Sequence, residues 1–187
     1  MYIRFFKVIF DVFWSLVLLA VLFPLLLFVY LILLMIHKSN PIFYQKRVGQ
    51  FGENFTILKF KTIKADSSSN LFLKFLRKTK IDELPQLVNV IKCEMSLVGP
   101  RPDLPGYYDQ LQGGNRSILD LKPGITGYAS IEFANEEEIL SQQENPLEYN
   151  DQVIFPEKVK LNLKYRNNIS FGLDIKILIK TLLLPFK

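Results

Sequence analysis

The chain of 187 residues holds a single histidine, His37, and a single cysteine, Cys93. His37 stands at the end of a long apolar run. A Ser-His-Asp triad, a Cys-His pair and a histidine-ligated zinc are therefore excluded from the rest of the chain. One cysteine makes no internal disulfide and no cysteine cluster, which suits a reducing compartment. Carboxylates, lysines, arginines, hydroxyls and a hard cation remain for reactive chemistry. Basic residues are missing from one stretch: Pro123 to Glu157 has eight acids and no Lys or Arg. Leu58 to Lys92, in contrast, carries eight Lys/Arg against three acids. Beside an apolar anchor, such a basic half points to phosphates of lipid or nucleotide. A solvated basic face drawn to anionic headgroups is the plainer alternative.

What the chain has in excess is one apolar run. From Val12 to Ile36 only Ser15 and Pro24 break it, so 23 of 25 consecutive residues are apolar. As a helix this run would be roughly 38 Å long, against a hydrocarbon core of about 30 Å. It is too long for a typical signal peptide, and no small-residue cleavage site follows it. Pro24 deprives the Ala20 carbonyl of its helical donor and should kink the helix. Basic residues flank both ends: Arg4 and Lys7 before, Lys38, Lys46 and Arg47 after. A spanning helix should show charge asymmetry. A helix that bends at Pro24 and leaves on the side it entered removes that conflict, with a kinked single-pass helix as the alternative. Asp11 is expected among headgroups, paired with Lys7 four residues earlier.

The remainder reads as a small mixed domain. Ile42–Tyr44 and Phe55–Leu58, separated by Gly49-Gln50-Phe51-Gly52, predict a β-hairpin. Residues 65–70 form a polar loop, and Leu71 to Arg77 a short basic helix. Leu84, Leu87, Val88 and Ile91 mark an apolar helical stripe. Leu97 to Pro102 must be extended or turning, because each proline disfavours helix before it. One more helix is expected over Tyr107–Gln112, ended by Gly113-Gly114, and a tight turn over Lys122–Gly127. Leu173 to Lys187 reads as an interfacial helix, or as one packed on the core.

The sharpest local feature is Thr79-Lys80-Ile81-Asp82-Glu83-Leu84-Pro85-Gln86. Pro85 belongs near a helix start, so a helix should begin at about Asp82, with two adjacent carboxylates in its first turn. Free amides and the dipole there favour anions, whether carboxylate or phosphate. Neighbouring acids point roughly 100° apart on a helix and so can take different roles. One could attack phosphorus while the other holds a divalent cation, with Arg77, Lys78 and Lys80 as a clamp. An ordinary acidic first turn is the bland alternative.

Five motifs in order carry a family likeness: Lys59-Phe60-Lys61-Thr62-Ile63, Leu76-Arg77-Lys78, Asp82-Glu83-Leu84-Pro85-Gln86, Met95-Ser96-Leu97-Val98-Gly99-Pro100-Arg101-Pro102 and Pro123-Gly124-Ile125-Thr126-Gly127. Behind a proline-interrupted apolar helix, they resemble the bacterial sugar transferase family, the small monotopic phosphoglycosyl transferases that act on polyprenol phosphate. The resemblance runs from Asp11 and Pro24 to Asp174–Leu178. It implies an α+β fold, mainly helical with a small β-hairpin. A proline-broken re-entrant membrane helix (residues 1–38) would precede a catalytic domain (39–187) with interfacial amphipathic helices, on the cytoplasmic face of the bacterial inner membrane. It implies that Asp82 attacks the β-phosphate of a UDP-sugar, releasing UMP, and that undecaprenyl phosphate then takes the phosphosugar. Glu83, with Asp82 beside it, would hold Mg²⁺. Lys59, Arg77 and Arg101 match basic positions of the pocket; Lys61, Arg116 and Lys122 join them as candidate phosphate binders. Expected partners are the UDP-sugar, undecaprenyl phosphate, inner-membrane lipids and downstream glycosyltransferases, with no nucleic acid.

The chain departs from the family pattern in places. Phe23-Pro24 replaces a frequent Ser-Pro, Val8 follows Lys7 where a second basic residue is common, and Lys122 stands where arginine usually precedes Pro-Gly-Ile-Thr-Gly. The acidic stretch Ile131–Glu138 replaces a Gly-Arg-Asn segment. Without the extra N-terminal spans of larger relatives, the chain is expected to be the minimal catalytic unit. Two other readings stand beside this one. A membrane-tethered adaptor for anionic lipid or nucleic acid lacks aromatics interleaved with its basic residues. A lipid phosphatase would release inorganic phosphate instead of UMP.

Overall fold

The computed structural model describes residues 2–63 and 70–184; most of the expected polar loop, 65–69, lies outside the described residues. Helix α1, Lys7–His37, is the one helix among them long and apolar enough to cross a membrane. Its helical run continues through Pro24, so the expected break is not an interruption of secondary structure. A proline removes one amide but keeps helical φ, which allows this.

Strands β1 (Ile42–Val48) and β2 (Asn54–Phe60) form the expected antiparallel hairpin, with Tyr44 opposite Leu58. Helix α2 (Leu71–Lys78) follows, its N-terminus capped by the Asn70 side chain. A 3-10 turn over Ile81–Gln86 leads into α3 (Leu87–Ile91). Strands β3 (Ser96–Val98) and β4 (Gly124–Thr126) pair in parallel, with two 3-10 turns, Tyr108–Gln110 and Gly113–Asp120, between them. The short helices α4 (Tyr128–Glu132), α5 (Glu136–Ser141) and α6 (Pro146–Tyr149) precede the longer α7 (Phe155–Asn168) and α8 (Phe171–Leu183).

Three elements differ from their expected secondary structure. The Pro-Gly-Ile-Thr-Gly segment is a strand, not a tight turn: a Cβ on Gly124 or Gly127 would collide with the Gly99 backbone. The glycines thus serve close strand approach. The helix expected over Tyr107–Gln112 shrinks to a single 3-10 turn, and Gly113 starts the next turn instead of ending a helix. In the Asp82 region the first turn is 3-10 and the α-helix starts only at Leu87. Pro85 has no amide for an α-type bond, and the tighter turn shifts the helical phase. Leu87 and Val90 are buried with Gln86 and Asn89, while Leu84, Val88 and Ile91 are half-buried.

The core is divided into linked clusters. Leu87, Leu97, Val98, Leu121, Tyr165 and Ile177 join α3, β3, α7 and α8, and Phe10 and Leu19 of α1 pack on them. Val29 and Leu33, in the other half of α1, pack with Phe60, Leu73 and Leu76. Both halves of α1 therefore rest on the same body. Polar bonds reinforce this at each end. Asp11, expected among headgroups, is buried and accepts from Ser96 Oγ at 2.6 Å. Lys7 Nζ lies 3.6 Å from Asp11 and donates to Asp174 Oδ2 at 2.7 Å. At the far end His37 Nε2 bonds the Lys61 carbonyl at 2.9 Å. Between these anchors Leu16, Leu18, Val21, Phe23, Leu25 and Phe28 are exposed. A contiguous apolar surface of this kind marks a membrane or partner contact. Helix α8 combines both expectations: Asp174 and Ile177 are buried, and Ile179, Leu182 and Leu183 are exposed.

Candidate active site

Asp82 and Glu83 lie in the 3-10 turn after Lys80, whose left-handed backbone (φ 58°) redirects the chain out of α2. Successive side chains on a 3-10 turn diverge by about 120°, so the two acids face different surroundings. Glu83 is held by two cations. Arg101 Nη2 donates to its Oε1 at 2.6 Å and Nη1 to its Oε2 at 3.1 Å, while Lys59 Nζ donates to Oε1 at 3.1 Å. Lys59 comes from the end of β2. Arg101 comes from the segment after β3, kept extended by Pro100 and Pro102.

Asp82 has no such support. Among the described residues no side chain pairs with it, and its Oδ1 is buried without a hydrogen-bond partner. Burial pushes its carboxyl up to about 6, and the Glu83 charge adds to this; Lys59 and Lys80 pull the other way. For Glu83 burial also acts upward, but Arg101 and Lys59 outweigh it and hold the carboxyl well below its usual range. Lys59 is lowered by burial, with Glu83 opposing, and the Arg101 guanidinium is raised by Glu83 despite burial. The result is one fixed carboxylate with its charge balanced and one weakly solvated carboxylate with an open oxygen. The first organises positive charge, and the second is suited to attack an electrophile.

The other expected phosphate binders are dispersed. Arg77, in the last turn of α2, pairs with Glu137 of α5 at 2.5 Å. Lys61 contributes its carbonyl to His37, and its side chain makes no ion pair among the described residues. Arg116 donates to the carbonyls of Asp109 and Leu111, bracing its own loop. Lys122 lines a small mixed pocket at the α1 anchor, with Lys7, Asp11 and Ser96 beside Ile3, Val98 and Ile169. Two residues that no site expectation included, Arg47 and Lys158, stand near it, and Glu136 of the acidic stretch stands with them. Arg47, read only as flanking charge, is 3.9 Å from Asp103 and within the electrostatic reach of Arg101 and Glu83. Lys158 of α7 pairs with Glu136 at 2.7 Å, and Glu136 in turn acts on Arg101. No local pattern in the sequence marks Lys158, which meets Glu136, 22 residues away, only in the fold.

No group of three or more acidic, His or Cys side chains able to cage a metal occurs among the described residues. Magnesium is commonly held by one or two carboxylates together with substrate phosphates and water. Asp82, whose Oδ1 is unpartnered, offers one such carboxylate; Glu83 stands beside it with both oxygens already accepting from Arg101 and Lys59.

Fold and site together define a membrane-associated domain that presents a carboxylate pair against fixed cations. A profile of the family described as "Bacterial sugar transferase" matches residues 2–187. The chain belongs to this family. It is 37% identical over 155 residues to "Uncharacterized sugar transferase EpsL" of Bacillus subtilis (strain 168), covering 76% of this chain and 69% of that protein. It is 34% identical to "Galactosyl transferase CpsE" of Streptococcus agalactiae serotype III, over 75% of this chain and 33% of that protein. It is 32% identical to "UDP-glucose:undecaprenyl-phosphate glucose-1-phosphate transferase" of Escherichia coli (strain K12), over 83% of this chain and 35% of that protein. The chain thus spans about a third of these two longer relatives.

Proposed function

We propose that the protein is a phosphoglycosyl transferase that moves a sugar-1-phosphate from a UDP-sugar to undecaprenyl phosphate and so initiates glycan assembly. The observation that carries this reading is Asp82: a buried carboxylate with an open oxygen, beside a second carboxylate fixed by Arg101 and Lys59. The names of the relatives, which include UDP-glucose:undecaprenyl-phosphate glucose-1-phosphate transferase, support the substrate classes. An adaptor for anionic lipid has no use for a buried carboxylate in this state.

In the proposed chemistry an Asp82 carboxylate oxygen forms a bond to the β-phosphorus, and the bond between that phosphorus and the oxygen bridging it to the α-phosphorus breaks. The electron pair leaves with UMP, and the phosphosugar remains on Asp82 as an acyl phosphate. A phosphate oxygen of undecaprenyl phosphate then attacks the same phosphorus, frees the Asp82 carboxylate and forms the lipid diphosphate. Lys59 and Arg101 supply positive charge where the phosphoryl oxygens gather it, and Glu83 keeps both cations aimed. Bound magnesium, held by Asp82, Glu83 and the diphosphate, would supply further charge neutralisation. No histidine is required.

We further propose that α1 is re-entrant, bent at Pro24, with the domain on the cytoplasmic face of the inner membrane. The anchoring of both halves of α1 to one domain supports this. A spanning helix would carry one set of those partners to the opposite side. Cysteines introduced at Ile3 and Ser39 should label from the same side of sealed vesicles; labelling from opposite sides overturns the re-entrant arrangement. The activity is tested with protein in lipid, Mg²⁺, undecaprenyl phosphate and a panel of UDP-sugars. UMP should appear with at least one donor and vanish in Asp82→Asn. Turnover that survives in Asp82→Asn would overturn the assignment of the nucleophile.

A further inference from the structure

Asn89, in α3, is completely buried, and its side-chain amide is used on both sides. Its Oδ1 accepts from the Leu58 amide at 3.1 Å, and its Nδ2 donates to the Thr56 carbonyl at 2.7 Å and to Glu94 Oε2 at 2.7 Å. Residues two apart on a strand direct their backbone groups to the same edge. These bonds therefore lie on one edge of β2, and the amide pairs there as a residue of a third, parallel strand would. The Asn89 carbonyl is also occupied, accepting from the amides of Glu94 and Met95 at 3.0 and 3.2 Å. Nothing about this residue is left to solvent.

The contact ties together the two elements that build the site. Lys59 is the next residue after Leu58, and its side chain shares the β2 face with Ile57. Ile57 packs against Val90 and Met95 beside Asn89. On the other side, the 3-10 turn that carries Glu83 runs directly into α3. Apolar packing at Ile57 tolerates small slides, whereas an amide that accepts from Leu58 and donates to Thr56 reads one register. A one-residue slip would turn Lys59 to the opposite face of the strand.

We propose that Asn89 is a positioning residue: by docking β2 on α3 in a single register, it holds Lys59 on Glu83 and so sets the cationic side of the phosphate site. The inference rests on the phosphoryl-transfer reading for its catalytic consequence, but not for the geometry it asserts.

The test is a double-mutant cycle on the full chain in lipid, with UMP release measured per folded molecule. Asn89→Ala should lower kcat/KM about tenfold or more in the parent background, and by less than about twofold when Lys59→Ala is already present, as expected of residues acting through one another. Equal losses in both backgrounds would overturn the proposal and leave Asn89 a packing residue. Asn89→Asp keeps the acceptor for Leu58 and loses the donors to Thr56 and Glu94; combined with Glu94→Gln, which removes the facing carboxylate, it provides a near-isosteric variant should Asn89→Ala not fold. A second readout needs no catalysis: after reductive methylation with 13C-formaldehyde, the Lys59 signal, assigned by its loss in Lys59→Arg, should lie apart from exposed lysines. In Asn89→Asp combined with Glu94→Gln it should move among them; an unmoved signal overturns the proposal. If no donor yields UMP from the parent protein, the functional reading fails while this readout still decides the geometry.

Discussion

Asp174 and Asp82 are both buried carboxylates, and they are treated in opposite ways. Asp174 accepts from Lys7 Nζ at 2.7 Å, Tyr2 Oη at 2.6 Å and Tyr165 Oη at 2.6 Å, so each of its oxygens has a donor. Asp82 has no side-chain partner among the described residues, and its neighbour Glu83 has taken Lys59 and Arg101. The first cluster joins α1, α7 and α8, and breaking it should cost stability. The second leaves an ionised group under-solvated, an arrangement that weakens the fold and suits reaction. A buried charge with all its bonds made is a structural element, whereas one with an open oxygen is a candidate reagent.

This comparison can be broken or sharpened by mutation. The largest expected effect is on rate: Asp82→Asn should abolish turnover, by at least about a thousandfold, as loss of a nucleophile does. The same substitution should raise the thermal midpoint at pH 7 by a few degrees, at roughly 2–4 °C per kcal/mol for a chain of this size. The sign follows from the raised carboxyl: the penalty for ionising it in the fold sets in as pH rises from 3.8 through about 6 and is complete above that. Thermal unfolding at pH 4 and pH 7 checks this, because the advantage of the variant should shrink at the lower pH.

Asp174→Ala should do the reverse. It leaves Lys7 buried with only Asp11 at 3.6 Å, so stability should fall by roughly 3–5 kcal/mol. The turnover of molecules that remain folded should change little. Chemical denaturation and an activity assay on the folded fraction read the two halves of this prediction. With the parent protein, the rate of UMP release should fall toward acid pH as Asp82 takes up its proton, and bound Mg²⁺ should hold that fall below the value of about 6 set chiefly by burial. A midpoint that does not move to lower pH as Mg²⁺ is raised would contradict that. The smallest effect is expected at Glu137→Gln. The carboxylate is well exposed and pairs with Arg77 at the surface, so stability should shift by less than about 0.5 kcal/mol in a thermal melt.

Part of the site was legible because the Asp82-Glu83 pair is local and carries its own signature. Lys59 and Arg101 came from the family likeness, and the structure brings both onto Glu83. The hairpin and α2 follow from strand alternation and a capping asparagine. What escaped depends on contacts across long stretches of sequence. Asp11 meets Ser96 85 residues away, and Lys158 meets Glu136 through two helices with little pattern of their own. Strand β4 escaped for another reason: Gly-Ile-Thr-Gly has the composition of a turn, and only the close approach of Gly99 shows why glycine is needed. Arg116 braces its own loop and Lys122 lines the pocket at the α1 anchor, partners that composition cannot reveal.

The central claim is that Asp82 becomes covalently loaded. Protein in lipid, incubated with Mg²⁺ and an active UDP-sugar but no undecaprenyl phosphate, should release about one UMP per molecule. Mass spectrometry of the digested protein should then find a phosphosugar on the peptide that contains Asp82. UMP that appears only once undecaprenyl phosphate is added, with that peptide unmodified throughout, would contradict the account and point to direct transfer between the two substrates.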